Sequence, residues 1–198
     1  MKIIYLLTRS ILLFGIVFCL LNCQNGSLSN AQTTQQNENK TNKSTDNPYE
    51  SLRRMALDRT PETLGLKIPS DKTRVYGVVM DWHTGDGIAT FAFLQTGDAS
   101  LYTSTGGGVI GGGYHENVKK ATLAFIDKAQ TYLDKATKTE TTPLPPENTV
   151  TFYFLTSKGK FVVQEREGNF DNKSSQWLGL FIEANKVITE LRLISEKD

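Results

Sequence analysis

Between Ala99 and Asn117 the chain reads Ala-Ser-Leu-Tyr-Thr-Ser-Thr-Gly-Gly-Gly-Val-Ile-Gly-Gly-Gly-Tyr-His-Glu-Asn and spends six of its 16 glycines there. Glycine costs more backbone entropy on ordering than any other residue, and it is used where the main chain needs positive φ or a close approach. Such a stretch is neither the inside of a helix nor an ordinary strand, so it has to be a connection. It divides a β-like half from a helical pattern, and the element order follows from that division.

Upstream, Asp46-Asn47-Pro48 is a helix-entry signal, and Tyr49, Leu52, Met55 and Ala56 recur at helical spacing to about Asp58. Thr60-Pro61-Glu62-Thr63 repeats the signal for one further turn that Gly65 closes. Arg74–Trp82, Ile88–Gln95 and Ser100–Ser104 are rich in β-branched and aromatic residues and are joined by Thr84-Gly85-Asp86-Gly87 and Thr96-Gly97-Asp98. Connections this short make an antiparallel meander.

Downstream, Val118, Ala121, Phe125, Ala129, Tyr132 and Ala136 mark one buried face of a helix of roughly six turns. Thr139–Glu147, with Pro143, Pro145 and Pro146, is a non-helical return. Thr149–Thr156 and Lys160–Glu165 are two more strands, Gly168–Ser174 is a polar loop, and Trp177–Ile194 is a closing helix. The order helix, three strands, helix, two strands, helix predicts an α+β fold. Its single antiparallel sheet has about five strands with helices packed on it, an order broadly like that of profilin or roadblock domains.

The first 47 residues have a different composition. Lys2 and Arg9 precede the apolar run Ile11–Leu21, which is too short to span a bilayer and suits a secretory signal. The run ends in Leu20-Leu21-Asn22-Cys23, which resembles a bacterial lipobox, with Asn22 where Gly, Ala or Ser is usual. The resemblance implies cleavage before Cys23, diacylation of its thiol (palmitate or a similar chain) and an exported lipoprotein. Cys19 falls within the removed segment, so lipidation also accounts for an otherwise odd exported cysteine. Gln24–Asn47 is nearly all Gln, Asn, Ser and Thr, a polar tether that cannot bury a core. The expected organisation is a signal peptide at 1–22, a lipidated Cys23 and tether at 23–47, and one α+β domain at 48–198. The expected address is the bacterial cell envelope, at the outer membrane if the cell has one.

Ser100–Gly113, His115-Glu116 and Val187–Leu193 resemble a family of small bacterial proteins of unknown function that carries this Ser-Leu-Tyr-x-Ser-Thr-Gly-Gly-Gly motif. The resemblance covers about Val75–Leu193 and implies no particular activity. Gly106–Gly111 formally satisfies G-x-G-x-x-G, but the strand before it ends an antiparallel meander and no parallel strand follows, so a dinucleotide fold is not expected. No Gly-Lys-Ser/Thr closes a P-loop.

A glycine-rich loop entering a helix can still present N–H groups to an anion. This makes Ser104, Thr105, Gly106, Gly107, Gly108, Gly111, Gly112, Gly113 and His115 the candidate ligand-binding set. The competing structural reading has the glycines passing close over the sheet, with Glu116 reaching back to the Gly113 N–H in a capping box. Tyr102, Tyr114, Trp82 and Trp177 are candidates for the rim of an interaction surface.

Only two histidines exist. Asp81 and His83 share a strand face and His115-Glu116 opens the long helix, so these four are the set for a hydrolase or metal-dependent alternative. Ser104 lacks a G-x-S-x-G elbow. The chain carries 22 basic and 21 acidic residues, and loss of Lys2 and Arg9 leaves 20 against 21, which excludes a nucleic-acid footprint. The reading that follows is a lipid-anchored, non-enzymatic binding module. It needs no cofactor, it meets the membrane through its anchor, and it contacts a protein partner or a small anionic ligand through the glycine loop.

Overall fold

Nine consecutive residues from Val75 to His83 are apolar or aromatic apart from Gly77, Asp81 and His83, and only a strand covered on both faces uses such a run. In the computed structural model, which describes residues 47–69 and 71–196, β1 (Val75–His83) lies in the middle of the sheet, buried up to Trp82. The expected signal segment, the expected lipidation of Cys23 and the expected tether as far as Asp46 lie outside the described residues. Helix α1 (Pro48–Leu57) starts where the entry signal predicts. Asn47 caps it by accepting the Tyr49 N–H on its side-chain oxygen at 3.1 Å, with Pro48 in the first turn.

The meander is β1, β2 (Ile88–Leu94) and β3 (Ala99–Thr103). Beyond it come β4 (Gly108–Val109), α2 (Glu116–Gln130), β5 (Thr137–Thr139), β6 (Thr149–Thr156), β7 (Gly159–Arg166), α3 (Glu167–Asp171) and α4 (Leu178–Ser195). The sheet order is β4-β3-β2-β1-β6-β7-β5, and every neighbouring pair is antiparallel. The fold is therefore α+β with one antiparallel sheet, as expected, but the sheet has seven strands and not about five. The two additional strands are short edges, β4 inside the glycine stretch and β5 just before the proline-rich return.

Strand alternation sorts the core into two layers. Val78, Met80 and Trp82 of β1, Phe91 and Phe93 of β2 and Phe152 and Phe154 of β6 face α2 and α4, packing on Phe125, Ala129, Leu180, Ala184, Val187 and Leu191. Phe93 sits 4.6 Å, centroid to centroid, from Phe125 and stacks on Phe91. The alternate residues Val79, Ala92, Tyr102, Tyr153 and Leu155 face α1 and the Leu64, Leu66 and Ile68 segment.

Two further expectations change. The long helix stops at Gln130 instead of running to Ala136: the backbone tightens there, with the Thr131 N–H on the Lys128 carbonyl and the Tyr132 N–H on the Ala129 carbonyl (both 3.0 Å), while the Gln130 side chain accepts the Val75 N–H (2.9 Å) and donates to the Thr73 carbonyl (3.3 Å). A 3₁₀ turn at Leu133–Lys135 then carries Leu133 into the core. The polar loop after β7 contains the short helix α3, which Phe170 pins to the core by stacking on Phe181 at 4.2 Å.

Candidate functional site

The glycine stretch is two devices in series. Thr103 and Gly107 close a tight turn, with the Thr103 N–H on the Gly107 carbonyl (3.2 Å) and the Gly106 N–H on the Thr103 carbonyl (3.1 Å). The chain then runs back along β3. Gly108 pairs with Tyr102 and Val109 with Leu101. A Cβ on Gly108 would collide with the Leu101 carbonyl oxygen, so only glycine allows this approach. Further along, the Gly111 N–H donates to Ser100 Oγ (3.3 Å) and the Gly113 N–H to Asp98 Oδ1 (2.9 Å). A Cβ on Gly113 would lie 2.8 Å from the Asp98 Cα.

The glycines thus let an edge segment lie against β3 and the β2–β3 turn, and three of the amides expected to meet a ligand are already taken. Asp98 also replaces Glu116 as the partner of Gly113, so the expected capping box does not form. His115 precedes α2 with no side-chain capping bond, and both His115 and Glu116 are exposed. Ser104 is half-buried and its Oγ accepts the Ile88 N–H at 2.9 Å, while Thr105, Gly106 and Gly107 are exposed at the turn.

What this edge offers to solvent is chiefly side chain. Ile110 is 68% exposed and Tyr114 99%. A Cβ on Gly111 would lie 3.9 Å from Tyr114 Cε2, which puts the ring beside the backbone that carries Ile110. Of the aromatic residues considered for the rim, Tyr102, Trp82 and Trp177 are buried in the two cores, and Tyr114 alone is displayed.

The four residues of the enzymatic alternative do not meet. His83 pairs with Ile88 at one end of β2, whereas His115 follows the Gly113–Asp98 contact at the other end, roughly 20 Å away at about 3.3 Å per strand residue. Asp81 is fully buried beneath α1. Its Oδ2 accepts Arg53 Nε (2.9 Å) and Nη2 (2.6 Å), and its Oδ1 accepts the Thr90 hydroxyl (2.6 Å). Thr90 Oγ1 is in turn 2.9 Å from the Tyr49 hydroxyl. Arg53 continues the network to the carbonyls of Thr142 and Pro143, and its guanidinium lies 5.8 Å from the Tyr153 ring centroid.

This network ties α1, three strands and the proline-rich return together, and sequence reading missed Arg53 entirely. Burial opposes the charge on Arg53, but its bond to Asp81 and that carboxylate's field outweigh burial and raise its pKa. Burial, with the Asp81 charge adding to it, pushes the Tyr153 hydroxyl up to about 12.

A polar cleft of about 800 Å³ opens at the other side of the sheet end, between the turn at Glu147–Asn148 and α3. Glu165 in its wall is braced by the Arg166 N–H (2.9 Å), Asn169 Nδ2 (2.6 Å) and Ser175 Oγ (2.8 Å). Burial works against the charged form, yet these donors hold the carboxyl below its usual range. Close by in sequence, Glu167 has its pKa raised by burial and by the charge of Asp171, with the Trp82 indole opposing. By hydrogen-bond geometry the Trp82 N–H has no partner, so the pairing with Glu167 is too loose to offset that burial. Among the described residues no three His, Cys, Asp or Glu side chains gather as a metal site would need. Comparison with protein-family models, curated proteins and solved structures finds no match to this chain.

Proposed function

We propose that the protein is a lipid-anchored, non-enzymatic binding module of the bacterial cell envelope, held by an acylated Cys23, whose glycine-rich edge contacts another envelope component. The observation that carries this reading is the pairing of a locked backbone with unshielded side chains. Gly106, Gly111 and Gly113 are bonded within the domain, while Ile110 and Tyr114 stand out at 68% and 99% exposure. A backbone already ordered loses little entropy on binding, and that favours contact through what it displays.

Free amides for an anionic ligand are fewer than the glycine count suggests, so side-chain contact takes precedence over anion capture. The enzymatic alternative built on Asp81, His83, His115 and Glu116 would need Asp81 released from Arg53 and the two ends of β2 brought together.

A photo-crosslinking residue at position 110 or 114 in living cells tests the contact, with position 140, also exposed, as the control. Discrete adducts from 110 and 114 alone are expected, and equal labelling from all three would refute the assignment. Mass spectrometry of the mature N-terminus tests the anchor: a diacylated Cys23 is expected, and an uncut, unmodified chain would exclude it.

A further inference from the structure

We infer that the outer edge of β4 pairs with the same edge of a second copy of this chain, so that two sheets join antiparallel about Val109. The inference rests on the envelope reading above and names the occupant of the glycine-rich edge.

The first argument is the backbone. The Ser104 N–H meets the Ile88 carbonyl (2.9 Å) and the Thr103 N–H meets the Gly107 carbonyl (3.2 Å), so the even-numbered residues of β3 bond to β2 and the odd-numbered ones to β4. Leu101 and Val109 are therefore a bonded pair. Gly108 and Ile110 turn their N–H and C=O groups to the outside, where β4 is the last strand of the sheet. Both residues are exposed, and among the described residues neither backbone has a partner on that side. Outward groups at alternate positions are the repeat of a strand edge, and an extended backbone is what matches it.

The second argument selects a second copy. Antiparallel pairing about a two-fold axis at Val109 sets Gly108 opposite the other copy's Ile110, and each such pair exchanges N–H···O=C bonds in both directions. Ile110 then lies across from a residue with no side chain to obstruct it. The sequence Gly-Gly-Gly-Val-Ile-Gly-Gly-Gly has the same glycine pattern read in either direction, which sets Gly107 opposite the other copy's Gly111 and keeps both flanks free of bulk.

The third argument is charge. A two-fold contact brings each charge near its own image, which repels. No Lys, Arg, Asp, Glu or Pro occurs between Asp98 and Glu116. The opposite edge of the sheet is defended instead: β5 carries exposed Lys138, with Lys135 and Glu140 exposed on either side. The β4 edge is also ordered before it pairs, since Ser100 and Asp98 hold the Gly111 and Gly113 amides. An edge this short makes a weak contact between free molecules, and anchoring both copies in one membrane raises their effective concentration.

Sedimentation equilibrium of the mature chain carrying Cys23→Ser, from micromolar to millimolar concentration, tests this with neither an acyl anchor nor a disulfide at that position. A reversible approach to twice the chain mass is expected. Ile110→Lys sets like charges near the axis and removes the exposed aliphatic side chains, so it should raise the dissociation constant about tenfold or more with unchanged circular dichroism. Val109→Cys should oxidise to a covalent dimer, because the axis passes between the two copies of that residue, whereas Met55→Cys at an exposed position of α1 should not. A parent chain that stays monomeric throughout, or a dimer that Ile110→Lys leaves as tight as before, would overturn the inference. In cells, adducts from position 110 at twice the chain mass are expected. Adducts to a different protein alone would overturn the dimer and leave the envelope contact standing. A dimer in solution with equal labelling from positions 110, 114 and 140 in cells would refute the envelope contact alone.

Discussion

Arg53→Met leaves the Asp81 carboxylate fully buried with the Thr90 hydroxyl as its remaining donor, after the loss of two bonds at 2.9 and 2.6 Å. Breaking one side of a buried ion pair costs about 3–5 kcal/mol, because the surviving charge can neither reach water nor find a partner. For a domain of this size that lowers Tm by roughly 6–20 °C. Asp81→Leu alone strands the guanidinium instead and should cost a similar amount. The double variant Arg53→Met/Asp81→Leu strands no charge. It loses the donors to Thr142 and Pro143, about 1 kcal/mol each, and so should be less destabilised than either single variant. Urea unfolding followed by the fluorescence of buried Trp82 and Trp177 measures all four proteins. Single costs that add within about 0.5 kcal/mol would show two independent groups. The argument that Asp81 is committed to holding α1 would then fail, and a chemical role for it would be open again.

Four other outcomes follow from the same geometry. Gly108→Ala should destabilise by about 1–3 kcal/mol in thermal unfolding, since a Cβ there meets the Leu101 carbonyl. Gly168→Ala, in open space on α3 with no positive φ, should instead be neutral or stabilise by up to about 1 kcal/mol. Glu167 has a raised folded pKa, so its contribution is fully present below its unfolded pKa and is lost as pH rises through the folded value. Glu167→Gln should therefore stabilise the domain at pH 7 and have little effect at pH 4, as unfolding midpoints at the two pH values would show. For Tyr153, raised to about 12, stability present below pH 10 is lost as pH climbs from 10 to 12. Tyr153→Phe should lessen the part of that alkaline loss which belongs to this hydroxyl, read by urea titration at pH 9 and 11.

Five of the seven strands were legible because each carries enough β-branched and aromatic residues to declare itself. The other two were hidden for different reasons. Gly108 has no side chain to show alternation, and Thr137–Thr139 is three polar residues whose strand character comes from pairing with Val162, Phe161 and Lys160. Asp81 was conspicuous as a charge inside Val-Val-Met-Asp-Trp, and a carboxylate in a strand buried on both faces requires a cationic partner. The partner was not legible, because Arg53 lies 28 residues earlier at a polar-looking position of α1 and nothing local joins the two. The end of α2 misled because Tyr132 and Ala136 continue the apolar spacing. The capture of the β1 backbone by the Gln130 side chain is a tertiary event that no periodicity records.

The glycine motif separates into a part that builds and a part that displays. Six glycines allow a segment with almost no side-chain bulk to lie along β3, over the Ala99–Asp98 corner and into α2, where Asp98 and Ser100 take its amides. A surface made this way is flat except where a non-glycine interrupts it. Val109 turns inward to the core, which leaves Ile110 and, just beyond the last glycine, Tyr114. Substitutions at Gly108, Gly112 or Gly113 would damage the packing of this segment itself. On the proposed reading, recognition resides in Ile110 and Tyr114, whose side chains make none of the hydrogen bonds that hold the edge.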